Sequence, residues 1–159
     1  MRLEEKVGSK LRESRLKIAT AESCTGGLIA NRITNISGAS EYFEAGFITY
    51  SNRAKNVFLA VPEEVITKKG AVSHDVAELM AEGVRQATGV DIGLSVTGIA
   101  GPTGGTLAKP VGTVYIGISC TVGIFVRGFL FNGDRTEIKK QTSDAALTLV
   151  LDYLEGRLI

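Results

Sequence analysis

The chain has 159 residues, 44% hydrophobic and 22% charged, which is long enough to bury a core and excludes a disordered segment. Its formal net charge of +1 gives no general attraction to nucleic acid or to an anionic membrane, although a small anion can be held locally. No apolar leader and no apolar run of membrane-spanning length is present, so we expect one domain over residues 1–159 and a cytoplasmic location.

Hydrophobic periodicity predicts helices that alternate with strands. In chain order, the first elements are a helix over 3–13, a strand over 16–20, a helix from Gly26 to about 37–40, a strand over 42–50 and a helix over 51–61 opened by Ser51 or Asn52. The later elements are a short helix with Pro62 at its first position, a helix from the N-cap Ser73 to Gly89, a strand from Asp91 that breaks into a glycine-rich loop, strands over 111–120 and 123–131, and a final helix through Ile138 and Leu154.

This alternation predicts an α/β fold, a three-layer α/β/α sandwich with a mixed, mainly parallel sheet. The adjacent strands near the C-terminus are expected to pair antiparallel, which makes the sheet mixed. Ligands of such sheets bind at the carboxyl ends of strands. Both the segment AESCTGG at 21–27 and the segment TGIAGPTGG at 97–105 fall at predicted strand ends.

Ser23 follows a predicted strand and precedes a predicted helix, so backbone N–H groups without helical partners lie beside it. Gly26 and Gly27 lack Cβ atoms, which lets a substrate approach those donors as in an oxyanion hole. The alternative is that Ser23 or Thr25 only caps the helix. Spacing alone leaves both interpretations open.

A nucleophilic Ser23 needs a base, and the single histidine, His74, falls at a helix start where a solvated position is expected. A lysine can serve if desolvation lowers its pKa toward neutrality. Lys55 is the candidate, because it lies five residues after Tyr50 at the end of a strand expected beside Ser23; its alternative is an exposed helix lysine. Cys24 is the rival nucleophile, and its alternative is a buried packing residue.

The glycine-rich loop suits a backbone that approaches phosphate or ribose closely, but it matches neither the P-loop nor the dinucleotide motif. Arg135 follows a predicted strand and is either a phosphate partner or a surface charge. Cys24, Cys120 and His74 have no zinc spacing, so no metal site is predicted. The glycines of the loop are Gly98, Gly101, Gly104 and Gly105.

Five segments of the chain are distinctive together: AESCTGGLIA, GFITYSNRAKNVFLAV, GAVSHDVAELMAEG, DIGLSVTGIAGPTGG and KPVGTVYIGI. They occur in the order and spacing of the CinA C-terminal domain family, which this sequence resembles from about Leu3 to the final helix. Members of that family are nicotinamide-nucleotide amidohydrolases that convert nicotinamide mononucleotide to nicotinic acid mononucleotide and ammonia. The resemblance implies an α/β/α domain in a stand-alone form, no metal or organic cofactor, and a homodimer.

The resemblance also implies site residues. The serine nucleophile of the family falls on Ser23, its lysine base on Lys55, and its site tyrosine on Tyr50, which either relays a proton or orients the lysine. Further polar site positions fall on Ser40, Thr97 and Arg135. Combined with the oxyanion turn and the loop, the expected substrate-binding set is Cys24, Thr25, Gly26, Ser40, Thr97, Gly98, Gly101, Gly104, Gly105 and Arg135.

Thr103, Leu107 and His74 stand where members commonly have glycine, proline and an acidic residue, and none of these positions belongs to the catalytic set. The differences bear on substrate affinity rather than on reaction type. Two alternatives to the amidohydrolase remain. One is a non-catalytic nucleotide-binding module of a competence or damage-inducible pathway, and the other is a cysteine hydrolase built on Cys24.

Overall fold

A computed structural model of the chain describes residues 1–158, in which helices and strands alternate in the predicted order. The strands are β1 (Ile18–Glu22), β2 (Phe43–Ile48), β3 (Ile92–Gly98), β4 (Thr113–Cys120) and β5 (Gly123–Leu130). The helices are α1 (Leu3–Ser14), α2 (Leu28–Thr34), α3 (Asn52–Leu59), α4 (Glu63–Lys69), α5 (His74–Thr88) and α6 (Arg135–Leu154), with a 3-10 turn at Ala39–Glu41.

The strands form one mixed sheet in the order β2-β1-β3-β4-β5. β1 pairs parallel with β2 and β3, whereas β4 runs antiparallel to β3 and β5, so four of the five strands share one direction. The predicted mixed, mainly parallel sheet is confirmed. Glu22 lies opposite Ile48 on one side and Val96 on the other, so the segments after β1, β2 and β3 leave the sheet at one edge.

Helices cover both faces of the sheet, which confirms the three-layer architecture. α1, α2 and α6 pack together on one face, and α3, α4 and α5 pack on the other. Ile29, Ile118 and Leu147 belong to the core of the first face, and Leu59 and Met80 belong to the core of the second. Within residues 1–158 no helix is both long and apolar enough to cross a bilayer.

The start of α2 differs from the prediction. The helix begins at Leu28 rather than Gly26, because Gly26 and Gly27 have φ angles of 60° and 101°, outside the right-handed helical region. It ends at Thr34, earlier than residues 37–40. β1 is also displaced from residues 16–20 to Ile18–Glu22, which places Ser23 directly after the strand.

The predicted capping residues are mostly confirmed. The hydroxyl groups of Ser51 and Ser73 each accept a hydrogen bond from the backbone N–H three residues on, at 3.0 and 3.2 Å. Gly89, with a φ of 72°, ends α5. Pro62 precedes the first residue of α4 instead of occupying it.

Candidate active site

A cavity of about 260 Å³ opens at the carboxyl edge of the sheet. Its walls come from the segments after β1 and β3, from the first turn of α3, from the loop before α5 and from the start of α6. Both glycine-containing segments of the sequence line it, as their positions at strand ends predict. Lys55 and Arg135 are the charged residues among its walls, and no carboxylate from residues 1–158 lines it.

The two candidate catalytic residues meet in this cavity. Lys55 Nζ lies 2.9 Å from Ser23 Oγ and 2.8 Å from the carbonyl oxygen of Thr49. The pairing follows from the parallel register, because the Thr49 N–H donates to the Glu22 carbonyl at 2.9 Å and thereby holds the chain after β2 beside the chain after β1. α3 then returns over this edge with Lys55 on its inner side. The structure therefore brings the predicted nucleophile and base together.

The environment of Lys55 favours its neutral form. Its side chain is only 1% exposed, and this burial lowers the pKa of the ammonium group to about 8. Among residues 1–158, its hydrogen-bond partners are the Ser23 hydroxyl and the Thr49 carbonyl, neither of which carries a charge. At pH 7, Lys55 is therefore neutral in about one tenth of the molecules, and in these its lone pair is available to Ser23.

Cys24 is a packing residue in this structure. Burial raises the pKa of its thiol to about 12, so the thiolate is scarce at neutral pH. Its Sγ lies 3.1 Å from the position that a Cβ on Gly98 would occupy, so the missing side chain of Gly98 leaves room for the sulfur. The geometry favours Ser23 over Cys24 as the nucleophile.

The turn after β1 provides backbone donors beside Ser23. The N–H groups of Cys24 and Thr25 donate to no other residue within 1–158, whereas the Gly26 N–H donates to the Ser23 carbonyl at 3.1 Å. Two amides of the expected oxyanion hole are thus free, and the third is used to close the turn. The expectation that the Gly26 amide binds the substrate is therefore wrong, because that amide is already bonded to the Ser23 carbonyl.

The buried carboxylate of Glu22 holds this turn and the start of α2 in place. Glu22 was not among the residues predicted from sequence. Its carboxylate is 1% exposed and accepts hydrogen bonds from Thr25 Oγ1 at 2.6 Å and from the N–H groups of Ile29 and Ala30 at 2.9 and 3.0 Å. Glu22 therefore caps α2 from the end of β1. The Thr25 side chain points to this carboxylate and does not line the cavity. The position of Glu22 directly before Ser23 in a strand that is buried along its whole length is the one signal that could have revealed it.

Tyr50 and Arg135 form the rim of the cavity. Arg135 Nη1 donates to the Gly101 carbonyl at 2.7 Å, and its Nη2 donates to the Tyr50 hydroxyl at 2.8 Å. Tyr50 is 60% exposed, and within residues 1–158 no hydrogen bond joins it to Lys55 or Ser23. The bridge links the end of β2 to the glycine-rich loop and to α6.

The loop after β3 supplies a further wall. The Thr97 hydroxyl donates to the Ala71 carbonyl at 2.8 Å and so fixes the segment before α5 against β3. Gly105 does not line the cavity, because it packs against Val111, whose N atom lies 2.7 Å from the position of a Cβ on Gly105. The expected site residues of this loop that do line the cavity are Thr97, Gly98, Gly101 and Gly104.

The structure does not bring Ser40 to the cavity. Ser40 lies in the 3-10 turn before β2, whereas the cavity opens after the last residue of that strand. The six residues of β2 separate the two places by about 20 Å.

His74 is exposed at the start of α5, as predicted. Asn52 lines the cavity and was not among the candidates, since its position suggested only a helix start.

Residues 1–158 contain no group of three or more histidine, cysteine, aspartate or glutamate side chains that could hold a metal ion. At the cavity the structure brings together the Ser23 hydroxyl and the buried Lys55 amine, with the unbonded N–H groups of Cys24 and Thr25 on the adjoining turn.

Comparison with known proteins identifies the family. The sequence model of the CinA C-terminal domain matches residues 1–154. The chain belongs to the CinA C-terminal domain family. A relative from Moorella thermoacetica is 54% identical to this CinA domain over 155 residues, and a CinA-like protein from Chloroherpeton thalassium is 52% identical over 160 residues. Each alignment covers 98% of the chain but only 37% and 38% of the respective relative, so the chain spans less than two fifths of their length.

Solved structures of the family share this fold. The crystal structure of the competence/damage inducible protein CihA from Agrobacterium tumefaciens has a TM-score of 0.92 at 39% identity, covering 96% of the chain and 93% of CihA. A CinA superfamily protein from Klebsiella pneumoniae has a TM-score of 0.93 at 28% identity, covering 98% and 99% of the two chains. The arrangement of strands and helices described above is therefore that of the family.

Proposed function

We propose that this CinA domain is an amidohydrolase that converts nicotinamide mononucleotide to nicotinic acid mononucleotide and ammonia. One observation carries the proposal: Ser23 Oγ lies 2.9 Å from the Nζ atom of a buried lysine whose pKa is lowered to about 8. A serine hydroxyl beside an amine that is partly neutral near pH 7 is an activated nucleophile. The family resemblance supplies the choice of substrate.

The first step is attack on the carboxamide carbon. Neutral Lys55 accepts the Ser23 proton through its lone pair while one of its N–H groups donates to the Thr49 carbonyl. The oxygen of Ser23 forms a bond to the carbon, and the carbonyl oxygen becomes an oxyanion. The free N–H groups of Cys24 and Thr25 stabilise that charge.

The second half of the reaction returns the protein to its starting state. The Lys55 ammonium gives its proton to the leaving nitrogen, which departs as ammonia, and an acyl-Ser23 ester remains. Water then gives a proton to Lys55 and attacks the ester carbon. The bond to Ser23 Oγ breaks and the serine recovers its proton from Lys55. The carboxylic acid that forms loses its proton to solvent and is released as the carboxylate.

The charge of the cavity supports an anionic substrate. Lys55 and Arg135 are the charged residues that line it, and no carboxylate of the described chain lines it, so the walls carry positive charge alone. Gly104 leaves the backbone of the loop open to close approach by ribose or phosphate, because a Cβ at that position would meet no atom nearer than 3.6 Å. This combination favours a nucleotide over a neutral amide.

We also propose that the domain forms a homodimer through the edge of the sheet at β2. Ile48 on this strand and Val57 and Phe58 on the neighbouring α3 are all more than half exposed. Such an apolar edge is covered by a partner in stable assemblies. Sedimentation of the wild type and of Phe58→Glu tests this, since the substitution should yield monomers; a wild-type monomer at micromolar concentration contradicts it.

Ammonia release from nicotinamide mononucleotide tests the activity. Ser23→Ala and Lys55→Ala should each lose at least about 100-fold in kcat, whereas Cys24→Ala should retain most of it. Folding of each variant is checked by circular dichroism. Binding of the nucleotide without ammonia release between pH 6 and 10 would support the regulatory module instead. Loss of activity in Cys24→Ala but not in Ser23→Ala would support the cysteine hydrolase.

A further inference from the structure

Lys139 brings a second positive charge to the catalytic turn. It lies on α6 one helical turn after Arg135, and its Nζ atom is 3.7 Å from the position that a Cβ on Gly26 would occupy. Burial raises the pKa of the Cys24 thiol, and the charge of Lys139 acts in the opposite direction, as expected for an ammonium group close to that turn. Lys139 therefore faces the segment that holds Ser23.

Among residues 1–158, this ammonium group is a cation near the turn that has no protein acceptor. Arg135 is occupied by the Gly101 carbonyl and the Tyr50 hydroxyl, and Lys140 forms an ion pair with Asp144 at 2.9 Å. Within residues 1–158, Lys139 forms neither an ion pair nor a side-chain hydrogen bond, although its side chain is half-buried. A half-buried ammonium group without a protein acceptor is a natural partner for an anion.

The space beside Lys139 can receive such a group. A second cavity of about 540 Å³ lies between α2 and α6, with Leu28 and Lys139 among its walls. Arg32 also lines it, but its guanidinium is already neutralised by Glu4 at 2.9 Å and Asp144 at 2.7 Å. Glu4 and Lys140 line this cavity too, Glu4 paired with Arg32 and Lys140 with Asp144. Among the described residues that line the cavity, Lys139 is therefore the cation without an ionic partner.

We propose that Lys139 binds the phosphate group of the nucleotide. The bound nucleotide then extends from Ser23 across Gly26, with its phosphate at the first turns of α6. This inference rests on the proposed function. Residues four apart on a helix have Cβ atoms about 5 to 6 Å apart, so Arg135 and Lys139 leave α6 from neighbouring positions, Arg135 toward the first cavity and Lys139 toward the second. Gly26, with its positive φ and no side chain, leaves the path between Ser23 and Lys139 open. Lys139 thereby makes the site prefer a nucleotide to the corresponding nucleoside.

Binding to a protein that cannot turn over tests this assignment. In a Ser23→Ala background, the Kd is measured by calorimetry for nicotinamide mononucleotide and for nicotinamide riboside, which lacks the phosphate. Adding Lys139→Gln should raise the Kd of the nucleotide about 10- to 100-fold and leave that of the riboside unchanged. Lys68→Gln is the control, because this exposed lysine on α4 lines neither cavity, and it should change neither Kd more than about twofold.

The outcomes separate this inference from the proposed function. The assignment is overturned if Lys139→Gln weakens the binding of both ligands equally or of neither. It is also overturned if the Ser23→Ala protein does not bind the nucleotide. A phosphate-specific loss together with absent ammonia release in the wild type supports Lys139 and contradicts only the hydrolase. If the wild type is active, Lys139→Gln should raise KM for the nucleotide with little change in kcat. An equal fall in kcat for the nucleotide and the riboside would mean that Lys139 stabilises the oxyanion, which overturns the assignment.

Discussion

The guanidinium of Arg135 donates to the hydroxyl of Tyr50 at 2.8 Å and so closes one side of the cavity mouth. The resemblance to the family left Tyr50 either as a proton relay or as a residue that orients Lys55. Lys55 is instead oriented by the Thr49 carbonyl and contacts Ser23 directly. We therefore interpret Tyr50 as a rim residue that positions Arg135.

Tyr50→Phe distinguishes the two roles of this side chain. Because only one hydrogen bond at an exposed rim is lost, KM should rise about 3- to 10-fold and kcat should change less than about threefold. Steady-state ammonia release over a range of substrate concentrations measures both, with Tyr153→Phe on the distant part of α6 as the control. A fall in kcat of about 100-fold at constant KM would show that Tyr50 relays a proton.

The pH dependence of the reaction follows from the pKa of Lys55. Only the neutral amine accepts the Ser23 proton, and its ammonium form loses its proton at about pH 8. We expect kcat/KM to rise about tenfold per pH unit below pH 7 and to level off above about pH 9. A rate that is constant from pH 6 to 9 would show that Lys55 is not the base.

The same buried amine makes the native state less stable at low pH. The folded pKa of about 8 lies below the ordinary value of 10.5, so between these values the unfolded chain binds more protons and stability rises with pH. Below pH 8 the burial of the charge opposes folding in full. We expect Lys55→Met to raise the free energy of unfolding at pH 7 by about 1 to 3 kcal/mol, a gain that disappears above about pH 10.5.

Urea denaturation at several pH values measures this effect. Lys68→Met on α4 is the control, because that lysine is exposed and its substitution should leave stability unchanged at every pH. If Lys55→Met lowers stability at pH 7 by more than it does at pH 10, the hydrogen bonds of Lys55 outweigh the burial of its charge.

The elements with long regular patterns could be predicted from sequence. α5 carries its buried residues at helical spacing between a serine cap and a terminal glycine, and both signals are local. The pairing of Ser23 with Lys55 followed from placing both at the ends of neighbouring strands and from the family motifs. Its 2.9 Å distance depends on the parallel register of β1 and β2, which no local pattern specifies.

The errors concern contacts that exist only in the folded chain. The Gly26 amide is used by the Ser23 carbonyl because two glycines with positive φ close the turn, a conformation that the sequence permits but does not dictate. Ser40 was assigned by motif alone, and a motif does not tell which end of β2 faces the cavity. Glu22 was overlooked because buried carboxylates are rare unless paired, and its donors appear only when α2 is in place.

Glu22 provides the last prediction, since its carboxylate joins the catalytic turn to α2. In Glu22→Gln one oxygen is replaced by an NH₂ group that cannot accept, so at least one of the three donors from Thr25, Ile29 and Ala30 is left without a partner in a buried place. The free energy of unfolding should fall by about 1 to 3 kcal/mol. Because the amides of Cys24 and Thr25 move with this turn, kcat should fall about tenfold while KM changes little.

Urea denaturation and ammonia release measured on the same preparations check both effects. Glu44→Gln is the matched control, because that carboxylate is exposed on β2 and lies 3.7 Å from Lys17, an arrangement that contributes little to stability. If the two variants behave alike in both measurements, the buried carboxylate does not hold the turn. If only stability falls and kcat is kept, the position of the Cys24 and Thr25 amides is fixed by Ser23 and Gly26 rather than by Glu22, because the Gly26 N–H still closes the turn on the Ser23 carbonyl.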